Sequence, residues 1–343
     1  MRARCELMCE TLSIKRLSMD SFIPPDTSKW PKGEQTTDSK AEPVDVRVFT
    51  QFLKDQGYSV LKLTQMWRHV HGIVKQEDRI LFLKLASTPE IGAKTQNEVA
   101  WNRAVADQLL ELSDGVLIVP KIRGTGFHNE NFFYLADYYP GEFPADHDPP
   151  RTEALSRYIA SLVDIALHLN TLSNNTLWGM EGQRSNESLI EQFFSEVDCW
   201  QRASGRSDLD DLRQLVEPLR RMYFPRVSHG DFVPWHVIVH DEKRVLIDGE
   251  HGWSGRPQYY DAAYFYHRLS TSAARPDVAK VFLKGFCSGL PESEKTTFRE
   301  RFIPLIAARS IAGFSDATLF EDQKKVINMH EKLKSMILSD DLY

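Results

Sequence analysis

From His229 to Asp261 the chain reads HGDFVPWHVIVHDEKRVLIDGEHGWSGRPQYYD, with two short β-branched runs inside it at 236–240 (HVIVH) and 244–248 (RVLID). Such runs on either side of a hairpin-length polar connection, here Asp241-Glu242-Lys243, predict an antiparallel pair. Pairing about that turn sets position 236 opposite position 248, where opposed side chains have Cβ atoms about 5 Å apart. Asp231 precedes the first strand and Asp248 ends the second, so both carboxylates gather at the open end of one hairpin. With His229, His236 and His251 nearby, that end suits a divalent cation or a proton transfer.

Upstream, the pattern becomes structured from Val46. A short helix is expected over 46–56, ended by Gly57. Strands are expected at 58–66, 69–76, 79–86, 116–122 and 132–139, which together make a five-stranded antiparallel lobe. Between them, Trp101, Val105, Leu109 and Leu112 recur at helical spacing over 94–113, and Glu98 falls on the same face. A carboxylate on a buried face requires a cationic partner, because an unpaired buried charge is costly. Lys84, inside the third strand, is the candidate.

The whole set resembles the aminoglycoside phosphotransferase and choline kinase family. The resemblance is carried by His229-Gly230-Asp231, a polar residue five positions after that Asp, a strand ending in Ile247-Asp248, and Gly255, Pro257 and Asp261 in a G-x-P-x-x-D segment. It implies an α+β, two-lobed protein-kinase-like fold, with a small antiparallel sheet lobe and a larger, mostly helical lobe. It also implies ATP and Mg²⁺ (Mn²⁺ as the alternative ion) and a small-molecule hydroxyl acceptor. On the same footing Asp231 is the catalytic base, Asp248 and His236 hold the metal, and Lys84, paired with Glu98, steadies the α- and β-phosphates. Asp137 and Tyr139, in the linker Leu135–Gly141, offer main-chain groups to adenine. Asp261 braces the catalytic loop and His229 supports it.

Three features depart from the family pattern. His236 stands where Asn is usual. Gly249-Glu250 follows Asp248 where an aromatic residue usually comes first. The phosphate-covering segment 64–72 contains a single glycine, leaving Arg68 or backbone N–H groups to contribute. Glu250 is a further acid beside the metal or toward the acceptor.

The chain divides into an extension over 1–42 with a short helix at 4–20, a nucleotide-binding lobe over 43–140, and a helical lobe over 141–343. Helices are expected at 152–172, 187–203, 208–223, 261–271, 276–288, 292–311 and 318–338. Glu187, Glu191, Glu196 and Asp198 form an acidic run, which either faces a cationic acceptor or is a solvated helix side. An aminoglycoside calls for an acidic pocket and choline for an aromatic cage. Trp253, Tyr259, Tyr260 and Tyr264 are aromatics for such a cage or belong to the core.

At 343 residues, 42% apolar and 26% charged, the chain can bury a sizeable core in two lobes. A net charge of −6 argues against nucleic acid or an anionic membrane as partner. No apolar run reaches the roughly 20 residues of a membrane span. Cys5, Cys9, Cys199 and Cys287 are too scattered for a disulfide framework, which fits a reducing cytoplasm. Two other functions use the same residues. In a metal-dependent hydrolase, His229, Asp231, His236, Asp248 and His251 would surround a transition metal. A pseudokinase would bind nucleotide without transferring phosphate. Oligomeric state is not readable.

Overall fold

The computed structural model describes residues 41–147, 150–173, 185–318 and 323–343. The extension expected over 1–42 and its helix at 4–20 lie outside these, apart from residues 41 and 42.

The first lobe opens with α1 (Val46–Asp55), whose N-cap Asp45 accepts from the N–H groups of Arg47 and Val48. Phe49 and Leu53, one turn apart, are fully buried against the sheet. Strands β1 (Ser59–Met66), β2 (His69–Gln76) and β3 (Arg79–Ala86) lead into helix α2 (Pro89–Leu112). Then come β4 (Leu117–Ile118), β5 (Ile122–His128) and β6 (Asn131–Asp137). The five-stranded sheet has the order β1-β2-β3-β6-β5, antiparallel throughout.

That order corrects one expected strand. The fifth strand is 122–128, not 116–122. Pro120 interrupts the run, since it has no N–H to give a ladder. Leu117 and Ile118 instead pair in parallel with a strand of the other lobe. The signal was blurred because β5 (IRGTGFH) carries two glycines and little apolar alternation.

Helix α2 starts earlier than periodicity predicts. Thr88 caps it, accepting from Ile91 N–H, and Pro89 occupies the first turn. Trp101, on its buried face, is fully enclosed, and its Nε1–H donates to Ser228 C=O at 3.0 Å. Asn97 donates to Glu250 C=O (3.0 Å) and Gly252 C=O (2.9 Å). This first-lobe helix is thereby bonded into the second lobe at three backbone carbonyls.

The second lobe begins with the short pieces β7 (Asp146–His147) and β8 (Pro150–Arg151). Helices α3 (Leu155–Thr171), α4 (Asn186–Ser204), α5 (Asp210–Val216) and α6 (Leu219–Met222) follow. The single helix expected over 208–223 is two, because Pro218 cannot continue α5. The stretch around His229–Asp261 holds β9 (Pro225–Ser228), β10 (Val237–His240), β11 (Lys243–Leu246) and β12 (Trp253–Pro257). Helices α7 (Tyr260–Ser270), α8 (Pro276–Gly289), α9 (Glu292–Ala317) and α10 (Gln323–Leu338) complete the lobe. Among the described residues no helix is long and apolar enough to cross a membrane.

The central hairpin pairs one residue out of the expected register. His240 faces Lys243 and Val237 faces Leu246, so the turn is the two residues Asp241-Glu242. Asp241 takes the left-handed backbone such tight turns require, with φ 51°. Position 236 therefore faces 247, and Ile247 N–H donates to His236 C=O at 2.9 Å.

Candidate active site

A one-residue slip should turn Asp248 to the opposite face of the ladder from His236. It does not, because both residues leave the ladder. His236 ends a short 3₁₀ turn, Pro234–His236. Asp248 adopts a left-handed backbone (φ 65°, ψ 43°), which aspartate tolerates better than most residues. The result brings His236 Nε2 within 3.2 Å of Asp248 Oδ2 and His236 Nδ1 within 3.7 Å of Asp231 Oδ2.

Lys84 reaches this cluster from β3. It is 4% exposed, and its Nζ donates to Glu98 Oε2 at 2.8 Å and to Asp248 Oδ1 at 2.6 Å. Glu250 Oε2 lies at 3.7 Å. Burial opposes the charge on Lys84, but Asp248, Glu98 and Glu250 outweigh it and hold the ammonium protonated well above its usual range. Glu98 is pushed up by burial, partly offset by Lys84, and also accepts from Tyr134 O–H at 2.9 Å. Burial disfavours the Asp248 carboxylate too, yet Lys84 and His236 bring it well below its ordinary value.

Arg68, a candidate for covering phosphates, pairs with the buried Glu250 instead. Counting Lys84 and Arg68 against Glu98, Asp248 and Glu250 leaves one excess negative charge in a largely enclosed space. A cation is the natural complement.

Asp231 is partly shielded on the other side of His236. Burial would raise its pKa, but His236, His251 and Arg268 lower it, and the nearby Tyr264 hydroxyl adds to them, giving about 2. Its loop is fixed from below. Asp261, the last residue of the quoted stretch, accepts from His229 N–H (2.8 Å) and Gly230 N–H (2.9 Å). Gly230 sits at φ +80°, and a Cβ there would lie 2.1 Å from His251 O, so only glycine fits. The His229 ring is buried edge-on to Trp101, with Nε2 2.9 Å from Ile247 O.

The glycine after Asp248 has a physical reason. A Cβ on Gly249 would stand 2.4 Å from Trp101 Cε3, so the α2 indole fills the place where the family pattern carries an aromatic side chain.

Asp231, His236 and Asp248 can offer ligand atoms within 4.8 Å of one another, and so can Glu98, Asp248 and Glu250. The first set fits a divalent ion on its own chemistry. His236 Nδ1 lies 2.9 Å from Asp231 C=O, which only accepts, so Nδ1 carries a proton. Nε2, 3.2 Å from Asp248 Oδ2, can then carry a proton that bonds this carboxylate or, in the neutral ring, turn a lone pair to an ion that the two residues share. Donors in neighbouring positions of an octahedral ion bonded at about 2.1 Å are about 3 Å apart, close to the observed separation. His229 and His251 belong to neither set, which leaves the hydrolase arrangement short of two of its five residues.

Asp137 and Tyr139 lie at the end of β6 and just beyond it, away from this cluster. Asp137 is clamped by Arg123 at 2.6 and 2.7 Å, and its N–H donates to Lys121 C=O at 3.0 Å. The Tyr139 ring packs edge-on to His240. Sequence reasoning named Tyr264 only as an aromatic for a cage or for the core, and missed Arg268 beside Asp231. Both share the face of α7 that carries Asp261, three and seven residues further along the helix.

A profile of the phosphotransferase enzyme family matches residues 73–296. No curated protein matches the chain. Among solved structures, a thermostable aminoglycoside phosphotransferase mutant in ternary complex with ADP and hygromycin B is similar at 12% identity and TM-score 0.60, over 86% of this chain and 99% of that one. A choline kinase from Streptococcus pneumoniae aligns at 15% identity and TM-score 0.51, over 85% and 98%. A macrolide 2'-phosphotransferase from Brachybacterium faecium aligns at 16% and 0.52, over 84% and 98%. These neighbours share the two-lobed fold, and the profile match covers well over half of the 343 residues: the chain belongs to the phosphotransferase enzyme family.

Proposed function

We propose that this protein transfers the γ-phosphoryl group of ATP to a hydroxyl of a small molecule. The observation that carries the reading is Lys84, whose Nζ joins Glu98 of α2 to Asp248 of the catalytic hairpin across the two lobes. In the reaction the acceptor oxygen attacks the γ-phosphorus, the bond from that phosphorus to the β–γ bridging oxygen breaks, and ADP leaves. The acceptor's hydroxyl proton passes to the Asp231 carboxylate and then to solvent. A carboxylate with a pKa near 2 is a weak base, so Asp231 chiefly orients the hydroxyl and receives its proton late. That suits a loose transition state, which demands positioning more than deprotonation. Lys84 anchors the α- and β-phosphates once they draw it from Asp248. The linker offers adenine the Asp137 carbonyl, since the Asp137 N–H is occupied, together with the main chain of Tyr139.

Asp248 and His236 would hold Mg²⁺ or Mn²⁺, and such an ion supplies positive charge opposite the phosphate oxygens. Asp231→Asn is expected to lower ATP-dependent turnover by about 10²–10⁴-fold, read as ADP release. An Asn variant as fast as wild type removes Asp231 from the chemistry. Because Mg²⁺ prefers oxygen ligands while imidazole suits Mn²⁺, His236→Asn should maintain or raise the Mg²⁺-supported rate and lower the Mn²⁺:Mg²⁺ rate ratio. Loss of activity with both ions would contradict that assignment.

A further inference from the structure

We infer that the acceptor is an anion: a hydroxyl compound bearing a carboxylate or phosphate monoester within a few bonds of the reacting oxygen, bound by Arg268. The inference rests on the kinase reading above and specifies its substrate class.

Arg268 stands on α7 one turn beyond Tyr264, and both side chains act on Asp231. Its charge acts on Asp231, yet among the described residues no carboxylate oxygen lies within 4.0 Å of the guanidinium. Its Nε is buried without a hydrogen-bond partner. The neighbours it does have are the faces of Trp235 (5.6 Å) and Tyr264 (6.0 Å). A flat guanidinium flanked by rings, with its fork uncommitted, is built for a two-oxygen anion. Behind it Arg309, 6% exposed, adds a second positive charge. Arg309 stacks on Tyr264 at 4.4 Å and donates to Tyr260 O–H at 3.1 Å. The acids acting here are Asp231 itself and Asp316, whose charge bears on Arg309.

The features a cationic acceptor would use are already taken. In the acidic run, Glu191 pairs with Arg220 (2.5 Å), Glu196 with Arg256 (2.5 Å) and Asp198 with Arg213 (2.9 Å). Glu187 is held in the first turn of α4 by its own backbone N–H and by Ser185. The aromatic side chains are also filled. Arg256 lies over both Trp253 and Tyr260 at 4.8 Å, Arg309 covers Tyr264, and Tyr259 donates to Glu294 at 2.7 Å. A choline-type cage would have to displace arginines, while an anion finds Arg268 ready.

The test is ADP release by the full chain with Mg²⁺ and ATP against three probe sets. The anionic set is lactate, glycerate, gluconate, ribose 5-phosphate and glucose 6-phosphate; the neutral set is glycerol, ribose and glucose; the cationic set is choline, kanamycin and hygromycin B. Turnover is expected within the anionic set, and its carboxylate and phosphate members show which anion is taken. Arg268→Gln should raise KM for that probe at least tenfold with a smaller change in kcat, and Arg268→Lys should recover part of the loss. A merely structural arginine would move kcat and thermal stability in both variants without this KM bias. Absence of turnover across the anionic set, or an unchanged KM in Arg268→Gln, overturns the inference. Failure of the kinase reading is separate, and shows as wild-type protein that neither gains thermal stability from Mg²⁺-ATP nor releases ADP with any probe.

Discussion

Lys84→Met is expected to lower phosphoryl transfer at least 100-fold and to destabilise the fold by about 3–5 kcal/mol, the usual cost of removing one partner from a buried ion pair. The expected loss is large because Lys84 serves three carboxylates. Without its ammonium, Glu98 at 2% exposure keeps only the Tyr134 hydroxyl, and Glu250 keeps Arg68. Asp248 is left facing two acids across the space Lys84 filled. The same variant carrying Glu98→Gln should recover part of the stability, because one of the uncompensated charges is gone, and none of the activity, because the phosphates still lack their anchor. Urea unfolding together with ADP release separates these effects. A single variant as stable as wild type would mean that the acids simply take up protons on folding, and that the lysine is dispensable to the architecture.

Where local chemistry decides structure, the chain was readable in advance. β2 and β3 run over the residues their alternation predicts, and Glu98 sits on the buried face its spacing assigns. Where long-range contacts decide, reading was harder. Residues 117–118 look like a central strand locally, but their partner is Arg244–Val245, more than a hundred residues away. Gly249 read as a departure from the family pattern until Trp101, from another lobe, proved to fill its place. The hairpin register shows the remaining difficulty. A turn of two residues or three is a small energetic choice in sequence, and the left-handed Asp248 that restores the cluster leaves no periodic trace. Arg268 was hidden, and Tyr264 left between cage and core, for another reason: on a helix where Tyr260, Asp261, Phe265, Tyr266 and His267 are all buried, helical spacing marks no unique face.

Below about pH 6.5 the protein is expected to lose stability, chiefly through its buried histidines. Burial holds His330 and His71 at pKa values of about 4, with Arg268 and Arg309 adding to the effect on His330. At His71, Lys84 adds to it, while Asp248 and Glu250 oppose it. His267, fully buried and stacked on His330 at 5.1 Å, is held well below its ordinary value by burial, His330 and the same arginines. Each ring is neutral when folded and takes a proton on unfolding, so between pH 6.5 and 4 the unfolded chain binds more protons and stability falls as the pH falls. At pH 5 this amounts to about 2 kcal/mol for each of His330 and His71, and His267 adds in the same direction. Asp261 works in the opposite direction. Burial lifts it to about 6 against the two N–H bonds it accepts, so it contributes stability as the pH falls through 6, about 1.4 kcal/mol at pH 5. His330, His71 and Asp261 together give a net loss of about 2–3 kcal/mol, against the roughly 5–15 kcal/mol typical of a folded protein, and His267, His229 and His69, also held down by burial, add to it. Urea midpoints at pH 7.5, 6.0 and 5.0 would display it, and His330→Gln should flatten the dependence by about 2 kcal/mol. Midpoints that stay level down to pH 5 would show these rings to be solvated or paired in the folded protein, and the helical core around His267 and His330 to be packed differently.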